Sequence, residues 1–421
     1  MPRSEGEGNT GAYAHASRAI VNLRGAFILI LVSFHSCLAY IGSTPAPAAT
    51  FDQPPFLWLA FPIVDDRRFY GFDLYCAWED VHVMALMFFL SGLFVAPGLR
   101  RKGALHFAAD RLLRLGLPFL FSVLLLMPIA IYPVYHRLTP EAGLADYLGA
   151  YLALPFLPNG PTWFLWLLLA FSCVAALLHA ISPDAVSRLG ALVSNARRKP
   201  ERFFLGLAIA LALAYLPPTL AYNPFDWFVH GLFSFQLSRP FLYGVYFFTG
   251  VAIGAHGLGA GLLAPDGRLP QLWKRLAVAS PLMLFAWMAA TGVTLIWPSF
   301  APLPMKFLSS LAYVGASVAT VMLLMALATR FGGERFAWLE LVSRNSLGIF
   351  VIHYMPVVWM QYLMTVAPLP AFLKAAIVFA VALPFSVGVA VAMRRNAVLG
   401  RLIGEEPSTA PSMAPGTPSR A

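Results

Sequence analysis

Long apolar segments alternate with shorter polar ones along this chain. Ten of them approach the roughly 20 residues that an α-helix needs to cross the hydrocarbon core of a bilayer. These segments are Ala19–Tyr40, Val81–Pro97, Leu115–Tyr135, Trp163–Ile181, Phe203–Tyr222, Phe241–Leu263, Leu276–Trp297, Phe307–Ala328, Ser346–Val366 and Ala375–Met393. The pattern predicts an all-α integral membrane protein with about ten transmembrane helices. The second segment is short, and Leu74–Trp78 can extend it.

The composition agrees with this prediction. Of the 421 residues, 59% are hydrophobic and only 11% are charged, and the mean hydropathy is +0.72. Soluble domains carry about 25% charged residues. A soluble chain could not bury this much apolar surface in one core, whereas lipid can cover it.

The basic residues predict the orientation. If both termini are cytoplasmic, the inner segments hold 23 of the 29 Lys and Arg residues, and the outer loops hold nine of the 19 acidic residues. This bias follows the positive-inside rule. The net charge of +10 therefore indicates topology, with a basic inner rim that suits membrane lipid or a polyanionic cytoplasmic ligand. No basic run is interleaved with aromatic residues, so we expect no nucleic-acid partner.

We expect a single transmembrane domain over residues 18–395. A polar segment, 1–17, precedes it, and a Pro- and Ser-rich tail, 404–421, follows it and is predicted to be disordered. The first segment lacks the apolar core of a cleaved signal peptide, so the first span should direct insertion. Three widely spaced cysteines indicate neither a disulfide framework nor a metal site.

The first predicted span carries two ionisable residues that need an explanation, because charge inside a membrane is costly. Arg24 and His35 are eleven positions apart, which places both on one helical stripe about 16 Å apart along the axis. An anchor for an anionic group and an imidazole base can thus share one wall of a cleft. The alternative is a boundary arginine and a packed histidine, which we consider less consistent with this spacing.

Further candidates lie in other segments. Arg111 and Arg114 share a helical face and can clamp phosphate, or they can belong to the basic membrane edge. His353 lies about 12 Å into the ninth predicted span. Glu79 and Asp80 mark the mouth of the second span, where a carboxylate could orient His35. Both can instead be solvated residues at a helix start.

Together these residues resemble the motifs of the membrane-bound acyltransferase-3 family, which includes O-acetylases of surface polysaccharides and the succinyltransferase of periplasmic glucans. The resemblance extends over residues 18 to about 395. The matching blocks, in chain order, are Arg24-x10-His35, Phe88 to Gly92 with Ser91, Arg111-x-x-Arg114-Leu-x-x-Pro118, Trp163 to Leu165, and Asn345-Ser346 followed by His353 and Pro356.

The resemblance implies an O-acyltransferase of a bacterial inner membrane. It would move an acetyl or succinyl group from a cytoplasmic acyl-CoA to a hydroxyl of a cell-envelope glycan or lipid-linked saccharide. Arg24, Arg111 and Arg114 would contact the donor, and His35 would act as general base or acyl carrier. The resemblance implies no metal, and any second-step partner would be a separate periplasmic protein.

His353 and Asp80 complete the expected catalytic set. Ser91, Gly92, Trp163, Asn345, Ser346 and Glu79 are expected to support it. The rival hypothesis is a polytopic transporter or flippase for a lipid-linked or small anionic substrate, because transporters also place polar residues at mid-membrane. A structural membrane subunit is a third hypothesis, but it would not need Arg24 and His35 on one stripe.

Overall fold

The computed structural model describes residues 5–47, 49–52, 61–224 and 226–405. The regular secondary structure of these residues is helical apart from one hairpin, in which β1 (Trp227–His230) pairs antiparallel with β2 (Phe233–Gln236). The α-helices are α1 (Glu5–Cys37), α2 (Gly71–Gly92), α3 (Val95–Arg111), α4 (Leu117–Phe121), α5 (Met127–Leu138), α6 (Leu144–Leu152), α7 (Trp163–Ile181), α8 (Ala185–Leu192), α9 (Pro200–Ala221), α10 (Pro240–His256), α11 (Trp273–Ile296), α12 (Pro302–Phe331), α13 (Ala337–Arg344), α14 (Ser346–Ile352), α15 (Tyr354–Met364), α16 (Ala371–Arg394) and α17 (Ala397–Leu402).

The predicted all-α membrane architecture is confirmed. Over the described residues, eight helical segments are long and apolar enough to span a bilayer, or nine if the bent pair α14–α15 forms one span. The predicted span Phe241–Leu263 differs most, because α10 has only 17 residues. At 1.5 Å per residue it is about 26 Å long, slightly less than the roughly 30 Å hydrocarbon core. The cytoplasmic location of both termini stays a prediction.

The third span is longer than predicted and is not a uniform helix. The helical segment runs over Val95–Leu138, is interrupted by a kink at Gly103 (φ +70°), and includes two π-helical turns, Leu112–Gly116 and Ser122–Leu126. Each π turn ends two residues before a proline, Pro118 or Pro128. Proline has no N–H and frees a carbonyl in the preceding turn, so the hydrogen-bond pattern shifts there. The first π turn contains Arg114 and follows Arg111 directly.

Helices α2 and α10 cross with their backbones in close contact. A Cβ atom added at Gly92 would lie 2.1 Å from the Phe247 carbonyl oxygen, and one at Gly250 would lie 2.1 Å from that of Phe89. Only glycine allows this approach. Gly92 is therefore a packing position that holds α2 against α10.

His353 lies at a bend between two helices. Helices α14 and α15 are bent by 42° relative to each other at this residue. Pro356 lies in the first turn of α15 and cannot donate to the Ile352 carbonyl, which weakens the helix there. Side chains at and after the bend, those of His353, Tyr354 and Gln361, contact His35 of α1.

The segment between α1 and α2 is tied to the rest of the bundle. Lys374 of α16 donates to both carboxylate oxygens of Asp65, at 2.7 and 3.0 Å, and both side chains are buried. Arg137 of α5 donates to the Val64 carbonyl at 2.6 Å. These contacts fix the chain where it returns to the bundle before α2.

The predicted terminal segments are only partly described. Helix α1 begins at Glu5, inside the segment predicted to be polar. Gly404 and Glu405 line a cavity of the bundle, described below. The rest of the predicted disordered tail, residues 406–421, lies outside the described residues.

Candidate active site

Two histidines from separate helices meet inside the bundle. His35 lies in the last turn of α1, and His353 lies at the α14–α15 bend. Their ring centroids are 5.0 Å apart, and Nε2 of His353 is 3.3 Å from Nδ1 of His35. Both side chains are buried. The structure thus brings together two of the three residues predicted to be catalytic.

Backbone carbonyl groups allow us to assign the protons of this histidine pair. Nδ1 of His353 lies 2.7 Å from the Phe350 carbonyl oxygen, and Nδ1 of His35 lies 3.0 Å from that of Leu31. A carbonyl oxygen can only accept, so Nδ1 of each neutral ring carries the hydrogen. The one Nδ1 hydrogen of His35 is then shared between the Leu31 carbonyl oxygen and Nε2 of His353, and Nε2 of His35 is the unprotonated nitrogen that a general base requires.

Two further side chains hold His35 in place. Gln361 of α15 donates to the His35 carbonyl at 2.7 Å, which satisfies one of the carbonyl groups left open near a helix C-terminus. The Tyr354 ring packs edge-on against the His35 ring, with centroids 5.7 Å apart. Neither contact is predictable from the sequence, because no helical spacing links α15 to α1.

A cavity of about 400 Å³, here called the arginine pocket, opens beside α1. Four arginines line it: Arg24, Arg111, Arg114 and Arg344. The structure therefore gathers the three arginines predicted to bind the donor and adds Arg344, which we had not predicted to bind it. A guanidinium group is planar and carries several N–H donors, which can bind two oxygens of one phosphate at once.

Contacts within the protein orient two arginines of this pocket, Arg24 and Arg111. Arg24 of α1 donates to Ser346 Oγ at 2.8 Å. The Arg111 guanidinium lies 4.9 Å from the Phe107 ring centroid, and its Nε is buried without a hydrogen-bond partner among the described residues. A buried donor without a partner is costly. A bound anion in this pocket could satisfy it.

One carboxyl group, that of Glu405, also lines the arginine pocket. Its Oε1 accepts from the Gly348 N–H at 3.3 Å. Burial raises the pKa of the Glu405 carboxyl, although the nearby Arg394, Arg24 and Arg114 act in the opposite direction. Sequence reasoning missed this residue because it begins a low-complexity tail.

Aromatic side chains form part of the wall of the arginine pocket, and the backbone of one of these residues contacts the histidine pair. Phe27, Phe164 and Phe350 line it, and the Phe350 carbonyl is the group that binds His353 Nδ1. Arg24 and His35 are separated by about 16 Å along α1. The helix therefore connects a cationic pocket to an imidazole base, as its sequence predicted.

Asp80 does not orient His35, contrary to the expectation from sequence. Arg239 donates to both Asp80 carboxylate oxygens, at 2.6 and 2.7 Å, and Tyr313 donates to the Asp80 backbone carbonyl at 3.1 Å. The predicted pairing is wrong because a buried arginine, 159 positions away in sequence, binds the carboxylate instead. The Nδ1 atom of His35 is held by a backbone carbonyl.

The other predicted supporting residues have varied surroundings. Ser91 lines the arginine pocket and donates to the Met87 carbonyl at 2.8 Å. Asn345 is buried at the start of α14 and donates to the Leu341 carbonyl at 2.8 Å. Trp163 packs against Tyr243, and Glu79 is buried in α2. Of the six supporting residues, Ser91 and Ser346 reach the arginine pocket.

The described residues contain no group of three or more His, Cys, Asp or Glu side chains that could hold a metal ion. In comparisons with known proteins, a family model described as an acyltransferase domain, that of acyltransferase family 3, matches residues 18–395. Neither a curated protein nor a solved structure matches the chain significantly.

Proposed function

The chain belongs to the acyltransferase-3 family and is a membrane acyltransferase that transfers groups other than amino-acyl groups. From this membership we propose its donor and its acceptor. We propose that it moves an acetyl or succinyl group from a cytoplasmic acyl-CoA to a hydroxyl of a cell-envelope glycan or lipid-linked saccharide. The main supporting observation is that the arginine pocket and the histidine pair lie along one helix, α1. Family membership does not favour the transporter or flippase hypothesis.

The arginine pocket suits the charged part of such a donor. Acyl-CoA carries several phosphate groups, and Arg24, Arg111 and Arg114 would bind them through charge-assisted hydrogen bonds. The flexible thioester arm would then follow the aromatic wall formed by Phe27 and Phe350. This path brings the acyl carbonyl toward His35.

His35 would perform the proton transfer. As the acceptor hydroxyl oxygen attacks the thioester carbonyl, Nε2 of His35 takes the hydroxyl proton, and the C–S bond breaks to release a thiolate. His35 then carries a proton on each nitrogen, and the unprotonated Nε2 of His353 stabilises that cation by accepting from Nδ1. His35 then gives the proton on Nε2 to the thiolate, which leaves as the thiol, and the neutral base is restored.

An acyl-enzyme relay is the second possible route. Nε2 of His35 would attack the thioester, release the thiolate and hold the acyl group until a hydroxyl takes it. Both routes need the same unprotonated nitrogen. They differ in whether acyl-His35 forms when donor is present without acceptor.

The acceptor would approach from the opposite face, at which the outer loops are predicted to lie. We propose that the membrane is the bacterial inner membrane, which places the donor in the cytoplasm and the glycan outside. A separate periplasmic protein could act on the product.

The function is tested by following an isotope-labelled acyl group. Membranes containing the protein are supplied with labelled acetyl-CoA or succinyl-CoA, and cell-envelope glycans are analysed by mass spectrometry. The proposal predicts a mass increase of one labelled acyl group on a glycan or its lipid-linked precursor. Movement of a saccharide across the membrane without acylation would contradict it and would support the transporter hypothesis.

A further inference from the structure

A second cavity, of about 630 Å³, lies between α8, α9 and α10 and shares no lining residue with the arginine pocket. Most of its wall is apolar. The apolar lining side chains include Leu189, Val193, Leu207, Ala210, Val245 and Phe248. The donor and acceptor sites proposed above do not include this second cavity, here called the apolar groove.

One end of the apolar groove is cationic. Lys199 and Arg202 line it, and both are exposed. Among the described residues, neither side chain has an ion-pair or hydrogen-bond partner, whereas the nearby Arg197 is paired with Asp266. Two cations without an ion-pair partner at the end of an apolar groove favour an amphipathic ligand, one with an anionic group and a hydrocarbon group.

The dimensions of the groove match one leaflet of a bilayer. Along α9, the lining residues extend from Lys199 to Ala210, a rise of about 16 Å. One leaflet contributes about half of the roughly 30 Å hydrocarbon core. Lys199 and Arg202 belong to a segment that the positive-inside rule assigns to the cytoplasmic face.

We propose that the apolar groove binds an anionic phospholipid of the cytoplasmic leaflet. Lys199 and Arg202 hold the phosphate, and one acyl chain lies along α9 against Leu207 and Ala210. Basic sites between transmembrane helices on the cytoplasmic side bind anionic lipid headgroups in this way. A soluble phosphate compound would leave the apolar wall unused.

Gly206 provides a direct test of the acyl-chain site. It lines the groove, and a Cβ atom added there would have no heavy atom within 4 Å. The side chain of Gly206→Leu therefore begins in open space, should occupy part of the groove, and also favours the helix. Gly292→Leu is the matched control, because Gly292 is equally open but lies on α11, outside the groove.

A double variant tests the headgroup site. Lys199→Gln with Arg202→Gln removes both cations at the groove, and Arg188→Gln with Arg198→Gln removes two cations from the same segment that do not line it. The full-length protein is purified in detergent and titrated with phosphatidylglycerol or phosphatidylcholine. Native mass spectrometry counts the lipids retained.

We expect the unaltered protein and both controls to retain phosphatidylglycerol in preference to phosphatidylcholine. The groove-lining variants should each weaken phosphatidylglycerol binding by roughly tenfold. Equal retention by all five proteins would overturn the proposal. Loss in the charge variant without loss in Gly206→Leu would also overturn it, because binding would then depend on surface charge alone. If inorganic phosphate displaced phosphatidylglycerol as strongly as added lipid does, the site would bind a soluble phosphate instead, and the proposal would be overturned.

Discussion

At the scale of single residues, the reactivity assigned to His35 depends on backbone groups. The Leu31 and Phe350 carbonyl oxygens require a hydrogen on Nδ1 of His35 and His353, respectively. This leaves Nε2 of His35 unprotonated, without any carboxylate in the arrangement. A base held this way needs no buried anion, and burying an anion within a bilayer would be costly.

Arg24 is expected to contribute to donor binding more than to chemistry. Arg24→Ala should raise the KM for the acyl donor by roughly 10- to 100-fold, the usual effect of losing a charge-assisted hydrogen bond, with a much smaller change in kcat. Arg18→Ala is the control, because Arg18 is an exposed cation on the same helix and does not line the pocket. Steady-state kinetics in membranes measures both. An unchanged KM in Arg24→Ala would contradict the assignment.

Glu405 should make donor binding dependent on pH. Its pKa is raised by burial, so the carboxyl stays neutral to a higher pH than that of a free glutamate. As pH rises through this raised pKa, a carboxylate forms in the arginine pocket and opposes the anionic donor. Donor affinity should therefore fall, by about fivefold for a repulsion on the order of 1 kcal/mol.

Glu405→Gln should lack this effect. The ratio of donor affinities between variant and unaltered protein, measured by equilibrium binding, should be near one at low pH and rise at higher pH. The phosphates of the donor titrate in both proteins, so the ratio isolates Glu405. A ratio that stays constant over the pH range would contradict the prediction.

At the scale of elements, helical periodicity predicted what lies on one helix and little of what lies between helices. Arg24 and His35 are connected by α1 alone, so their spacing fixed their relation in advance. Asp80 was misjudged because its partner, Arg239, comes from the start of α10. Gln361 contacts His35 from 326 positions away in sequence. Such contacts depend on tertiary packing, which one sequence does not display.

The α2–α10 crossing is expected to be intolerant of any added side chain. Gly250→Ala places a Cβ 2.1 Å from the Phe89 carbonyl oxygen, so the helices must separate, at a cost of about 1–3 kcal/mol. Gly388→Ala is the control, because a Cβ at that position on α16 has no heavy atom within 4 Å. Thermal unfolding in detergent should show a Tm several degrees lower for Gly250→Ala only. Equal Tm values for the two variants would count against the close crossing.

At the scale of the whole molecule, the predicted sidedness would place the proposed donor and the proposed acceptor on opposite faces of the membrane. The basic inner segments, including Arg111 and Arg114, should face the cytoplasm, as the positive-inside rule predicts. The acidic loops should face outward. The composition and the apolar pattern predicted the helical membrane fold, but they did not predict the short α10 or the π turns of the third span.

The predicted sidedness can be measured with single cysteines. In a variant without the native cysteines, Glu141→Cys should react with a membrane-impermeant maleimide in intact cells. Ser194→Cys should react only after permeabilisation. Both positions are exposed in the structure, so a lack of reaction would reflect sidedness. Labelling of Ser194→Cys in intact cells would contradict cytoplasmic placement of the arginine pocket.

The most direct test of the account is a single-turnover measurement of acyl transfer with His35→Ala. Membranes with equal amounts of inserted protein receive labelled acyl-CoA and acceptor glycan. His179→Ala serves as the control, since His179 lies near the end of α7 and lines neither cavity. The account predicts that His35→Ala lowers the rate of transfer by roughly 10²- to 10⁴-fold, while donor affinity stays within a few fold of normal. A near-normal rate in His35→Ala would contradict the account.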